Sequence, residues 1–143
     1  MSIEENKRIA REVFDAFVAG DLRGVRNLLA PDAVFHQCGF LQPISGESIF
    51  QGGFAAGGRI RERAVRLERM IGEGDVVALH WRTSGVYSDP ESSERDGTPV
   101  NFPSMTFARF ERGKIAEIWN IRDTSTLESQ LWEASSSGRT DAR

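Results

Sequence analysis

Two short stretches carry the residue types that chemistry needs. The first is "AVFHQC", residues 33–38, where His36 and Cys38 share one parity of a strand-like segment. An imidazole with an ordinary pKa of about 6.5 exchanges protons at neutral pH, so His36 is the candidate general acid or base. Its plainer role is a histidine hydrogen-bonded near the rim of a sheet. A thiol becomes a nucleophile beside a group that lowers its pKa, and only His36 is near Cys38 in sequence. A small packing residue in a pocket wall suits Cys38 better. The second stretch is "KIAEIWNIRD", residues 114–123. Ile115, Glu117, Trp119 and Ile121 fall on one parity, and Ala116, Ile118, Asn120 and Arg122 on the other. A face that begins with Ala116 and Ile118 and ends in an amide and a guanidinium either meets water or lines a pocket. In a pocket, Asn120 would orient a carbonyl and Arg122 would hold a carboxylate, enolate or phenolate oxygen. Otherwise Arg122 would pair with Asp123, Glu47 or another acid.

Other candidates carry less. On residues 76–87, Val77, Leu79, Trp81 and Thr83 share one parity and Ala78, His80 and Arg82 the other. With Trp81 facing the core, His80 goes to the outer face. Trp81, Phe110 and Met105 are core or interface residues that would also wall an aromatic ligand. "GGFAAGG", residues 52–58, lacks the Gly-Lys-Ser/Thr ending of a phosphate-binding loop and follows no buried strand. Close packing of a helix, or room above a pocket, explains it better. No His/Asp/Glu cluster has metal-ligand spacing and no dinucleotide fingerprint appears, so neither metal nor cofactor is expected.

The elements that must position these groups are legible from period and punctuation. Ser2 and Glu5 form a capping box for a first helix whose stripe is Ile9, Val13, Phe14 and Phe17, ended by Gly20. A shorter helix carries Leu22, Val25, Leu28 and Leu29 and closes at Pro31, before the strand at 33–38. A third helix is expected over 46–62, where the four glycines of residues 52–58 each weaken it by about 1 kcal/mol. From residue 64 the period becomes two. "AVRLERMI", "DVVALHWRTSGVYS" and "PVNFPSMTFARF" read as strands, with "GEGD" and "ERGK" as hairpin turns. "SDPESSERDGT" is long for a hairpin loop and reads as a solvated, flexible excursion rather than a lid. Ser125 and Glu128 repeat a capping box in a last helix with Leu127 and Leu131.

These elements predict one α+β domain over residues 1–133 and a disordered tail over 134–143. The chain has 143 residues, enough to bury a core without disulfides, and its single cysteine excludes an internal one. Lys and Arg number 18 against 21 Asp and Glu, a net charge of −3, which argues against a nucleic-acid footprint. No run approaches the roughly 20 apolar residues of a membrane span, and no leader segment is apparent, so the expectation is a cytoplasmic protein. The apolar surplus on the outward sheet parity predicts a homodimer with Trp119 and His80 near the contact.

"DLRGVRNLLAPDAVFHQ", "GEGDVVALHWRTSGVY" and "RFERGKIAEIWNIRDTSTLESQL" resemble the SnoaL-like polyketide cyclases of the cystatin-like superfamily named after nuclear transport factor two. The resemblance runs from the first helix to about Leu131. It implies a conical α+β barrel: a curved antiparallel sheet with N-terminal helices on its concave face, enclosing a pocket. Asn120 and Arg122 would point into it while Trp119 and Ile121 face outward. The family's aldol cyclases carry an aspartate where this chain has Asn120 and a histidine where it has Thr106. An amide cannot take a proton from carbon, so the resemblance implies the pocket without the aldol chemistry. His36 is then the expected proton-transfer residue and Asn120 the group that orients or polarises the substrate. Thr106, Arg122, Ile118, Trp81, Phe110 and Cys38 are the expected substrate contacts. The function so implied is cofactor-independent cyclisation or rearrangement of a polyketide-like or other hydrophobic intermediate. A cofactor-independent hydroxylase and a non-catalytic ligand-binding module are the alternatives.

Overall fold

Ser2 starts the first helix as the capping box requires, its hydroxyl accepting from Glu5 N at 3.0 Å. In the computed structural model, which describes residues 2–21, 23–37, 41–46, 48 and 59–141 with side chains through Ser135, that helix is α1, Ile3–Ala19. Gly20 ends it in the left-handed conformation at φ 75°. A 3-10 helix, Arg23–Leu28, follows. Then come β1 Leu29–Gln37, β2 Ile44–Ser45, β3 Ile60–Glu73, β4 Val76–Tyr87, β5 Pro99–Glu111, β6 Lys114–Arg122 and α2 Thr124–Asp141. The six strands form one sheet in the order β2-β1-β6-β5-β4-β3. All pairs are antiparallel except β1 with β6, so the sheet is mixed, curved and open at β2 and β3.

The fold is the α+β architecture expected, with local corrections. Pro31 does not close a helix but lies inside β1, where it has no N–H to give a ladder. The register of β1 against β6 jumps between Leu29 and Val34, across that proline. The second helix is only a 3-10 turn. The third expected helix falls mostly outside the described residues, and its last positions, 60–62, already belong to β3. Asp123, rather than Ser125, caps α2 by accepting from Thr126 N at 2.9 Å and Thr126 Oγ1 at 2.7 Å. Those bonds hold its carboxyl below the usual carboxylate range. The α2 backbone is helical to Asp141. The 88–98 loop is tied by its own bonds, Gly97 N to Tyr87 O and Asp89 N to Asp96 Oδ1 among them.

Directly paired residues in a sheet share a face. One face gathers Phe35, Ile118, Ala108 and Val77, which are 0–2% exposed, and α1 covers it with Ile9, Ala10 and Val13. Phe14 meets Trp81 edge-on at 5.7 Å, and Phe17 meets Phe35 at the same distance. A second cluster of Val100, Phe102 and Leu131 docks α2. Gln130 fixes that docking by accepting from Asn101 N at 2.9 Å and donating to Asn101 O at 2.7 Å. Among the described residues no helix is long and apolar enough to cross a membrane.

Candidate functional site

Between α1 and the concave sheet face lies a cavity of about 90 Å³, several times the space one water needs. Phe14 and Phe17 of α1 form its roof and Leu79, Ala108, Ile115 and Ile118 its floor. Into this apolar space the sheet register delivers one polar row. Gln37, Asn120 and Thr106 are aligned neighbours on β1, β6 and β5, and Trp81 on β4 lies one pleat along.

The row is hydrogen-bonded throughout. Trp81 Nε1 donates to Thr106 Oγ1 at 3.0 Å, Thr106 Oγ1 to Asn120 Oδ1 at 2.7 Å, and Asn120 Nδ2 to Gln37 Oε1 at 2.8 Å. Its direction is set at the Trp81 end, because an indole N–H can only donate. The Thr106 hydroxyl therefore accepts there and gives its single proton to Asn120, whose amide nitrogen is turned to Gln37. The row ends on a donor, Gln37 Nε2, which is buried and has no partner among the described residues. Such an orphan costs about 1–3 kcal/mol unless something fills it.

Thr83 and two guanidiniums complete the polar lining. Arg63 donates to Val18 O, an end carbonyl of α1, at 2.8 Å. Arg122 forms no hydrogen bond and no ion pair among the described residues, because Asp123, its expected partner, is engaged at the start of α2. No carboxylate, imidazole, thiol or phenol lines the cavity among the described residues, and none of these residues form a cluster able to hold a metal ion.

Asn120, Thr106, Arg122, Ile118 and Trp81 thus meet around one cavity. His36 does not join them, and its expected placement is corrected. It pairs in register with Trp119, on the opposite sheet face, and the two rings stack at 5.1 Å and 9°. Its Nε2 lies 2.6 Å from Glu117 Oε2, and Arg109 Nε donates to Glu117 Oε1 at 3.2 Å. The reason is parity: the bulkier Phe35 takes the inner face, and its neighbour must turn out. Phe110 is also corrected. It is buried in the core cluster and does not line the cavity. Cys38 and Glu47 lie outside the described residues, as does "GGFAAGG". Gln37 and Arg63 are the lining residues the sequence reading misses. The signal for Gln37 is that it shares parity with Phe35.

The SnoaL-like domain model matches residues 10–118, about three quarters of the chain, so this protein belongs to the SnoaL-like domain family. The match ends two residues before Asn120. Solved structures agree in fold. A candidate SnoaL-like polyketide cyclase from Jannaschia sp. CCS1 is 20% identical with a TM-score of 0.75, over 92% of this chain and 94% of its own. IdmH, a candidate polyketide cyclase from Streptomyces antibioticus, is 25% identical with a TM-score of 0.72, over 88% and 97%. AclR, a candidate hydroxylase from Streptomyces galilaeus, is 21% identical with a TM-score of 0.69, over 92% and 83%. No curated protein sequence matches this chain.

Proposed function

We propose that this chain is a cofactor-independent enzyme that folds a polyketide-like or other hydrophobic intermediate into a reactive conformation and so directs its cyclisation or rearrangement. The observation that carries this reading is the oriented polar row inside an aromatic-walled cavity. The second amide hydrogen of Asn120 is open to a substrate carbonyl, and Thr106 and Gln37 fix the plane of that amide. A donor held ready for a developing oxyanion costs no reorganisation when charge appears on it. Confinement adds a separate contribution, since effective-molarity effects reach roughly 7–11 kcal/mol. Proton movement is left to substrate and solvent, as the described lining offers no group that titrates near neutrality.

The test is turnover of a linear poly-β-ketone thioester, with ring formation followed by absorbance and mass. Asn120→Leu should lower kcat by about 10²-fold, the usual loss for one oxyanion donor. Unchanged kcat in a folded variant overturns the role of Asn120, and the absence of any turnover overturns the enzyme. A second reading, a ligand-binding module, is favoured by that same lack of a proton-transfer group; it is supported by binding without product. Oxygen consumption during turnover would instead mark a hydroxylase, the activity attached to the AclR name. We also propose a homodimer formed through the outer sheet face.

A further inference from the structure

The polar lining of the cavity has a chemical sense of its own. Consider what each group leaves open. Thr106 accepts from Trp81 and gives its proton to Asn120; Asn120 accepts from Thr106 and donates to Gln37. The remaining capacity at the end of the row is the unpartnered amide nitrogen of Gln37, a residue 5% exposed. Arg63 has one N–H on Val18 O, and a guanidinium carries five, so most of its fork is free. Arg122 has its whole fork free among the described residues. Beside the hydroxyls and one remaining lone pair on each amide oxygen, the open capacity is all donors, the second amide hydrogen of Asn120 included, and two of the donor groups are cationic with no carboxylate beside them in the lining.

An unneutralised guanidinium against apolar walls is costly and attracts an anion. Cationic ligands are repelled by the same pair. The polar sites are also spaced. Arg122 stands two residues beyond Asn120 on one strand, roughly 7 Å along its face, and Gln37 is aligned with Asn120. They therefore address separate groups on a ligand rather than the two oxygens of one carboxylate.

We propose that the cavity selects a planar apolar ligand bearing an acidic oxygen, taken by Arg122 with Arg63 adding positive charge from elsewhere in the same lining, and a carbonyl oxygen at its other end, taken by Gln37. This rests on the reading of the cavity as the functional site and narrows its substrate class to acidic, oxygen-rich aromatics or conjugated chains.

The probe is 6-acetyl-2-naphthoate, titrated by calorimetry at low salt against its methyl ester and against 6-ethyl-2-naphthoate. The acid should bind about tenfold more tightly than the ester, the range of one charge-assisted pair. Arg122→Met and Arg63→Met should each erase part of that preference, and the double variant all of it. Gln37→Leu should weaken the preference for acetyl over ethyl while leaving the preference for acid over ester. Gln37→Glu, which keeps an acceptor for Asn120 but adds a carboxylate, serves for the comparison of acetyl with ethyl alone if the leucine variant does not fold by circular dichroism. Equal binding of acid and ester, an acid affinity indifferent to both arginines, or no binding at about 1 mM acid overturns the proposal. Because no turnover enters the measurement, acid-selective binding in a protein that proves inert sinks the enzyme reading alone. Turnover of a neutral substrate without acid selectivity sinks this one alone.

Discussion

Glu117 sits between an imidazole and a guanidinium on the outer sheet face, and its titration reports that arrangement. The His36 ring at 2.6 Å and, after burial opposes it, Arg109 hold its carboxyl below the usual carboxylate value of 4.5. A depressed folded pKa gives stability that is fully present above the unfolded value and is lost as pH falls through the folded one. The window is therefore acid, below pH 4.5. The carboxyl carbon resonance of Glu117 should titrate with a midpoint under that value. In His36→Phe, which keeps a ring over Trp119 but removes the hydrogen bond, the midpoint should rise towards it. A wild-type midpoint at or above 4.5, or one that ignores His36→Phe, contradicts this account. The same residue shows what the sequence could convey about the site. On β6 both parities mix apolar and polar side chains, Ile115, Glu117, Trp119 and Ile121 against Ala116, Ile118, Asn120 and Arg122, and only the resemblance to the SnoaL-like cyclases puts Asn120 and Arg122 on the cavity side. β1 is mixed too: Ala33 and Phe35 stand on one parity and Val34 on the other. The chemical appeal of an imidazole then points to the wrong face, and Gln37 passes unnoticed.

At the scale of the element, the edge of the sheet decides where Arg63 goes. β3 carries one extra residue against β4, with Arg61 opposite Val86 and Ala64 opposite Ser84. Glu62 absorbs the kink at φ 54°, a conformation uncommon for a side-chain-bearing residue. The bulge closes onto Gly85, where an added Cβ would lie 2.8 Å from Arg61 O and 2.6 Å from Ile60 Cγ2. A backbone oxygen cannot move aside as a side-chain tip can. Gly85→Ala should therefore destabilise the protein by about 1–3 kcal/mol, as overpacking does, and disturb the placement of Arg63. Urea unfolding would measure it, with Gly24→Ala, where a Cβ meets nothing within 4 Å, as the comparison. A Gly85→Ala midpoint equal to that of wild type removes the bulge from the argument. The change to period two near residue 64 makes β3, β4, β5 and β6 legible, because alternation over a dozen residues averages out local exceptions. Bulges and the strand containing Pro31 are not legible. They depend on what the partner strand tolerates, and no local pattern encodes that.

At the scale of the whole molecule, the sheet has two faces and α1 covers only one. Across the other runs a row of aligned residues from five strands: His36, Trp119, Phe107, Ala78 and Ile71. Beside it lie Met105 and Ile121, also paired in register. Ile121 is 68% exposed, Ile71 57%, Met105 54% and Phe107 51%, a concentration of large apolar side chains on one face. The patch is fringed by both signs of charge, Arg109 with Glu117 on one side and Arg82 with Glu68 on the other. Mixed charge suits a two-fold contact, in which each residue can meet its complement on an identical surface. A second copy is thus the occupant that chemistry favours, and a stable contact would need about 800 Å² from each copy. Phe107→Glu and Ile121→Glu place carboxylates in the middle of the patch, so both should shift sedimentation from dimer to monomer. The cavity opens on the other face, and probe binding should survive in the Phe107→Glu monomer, because Phe107 is not among the residues lining the cavity whereas Ile121 is. A wild-type protein that sediments as a monomer at roughly tens of micromolar removes the dimer. A dimer that persists in both variants places the contact elsewhere.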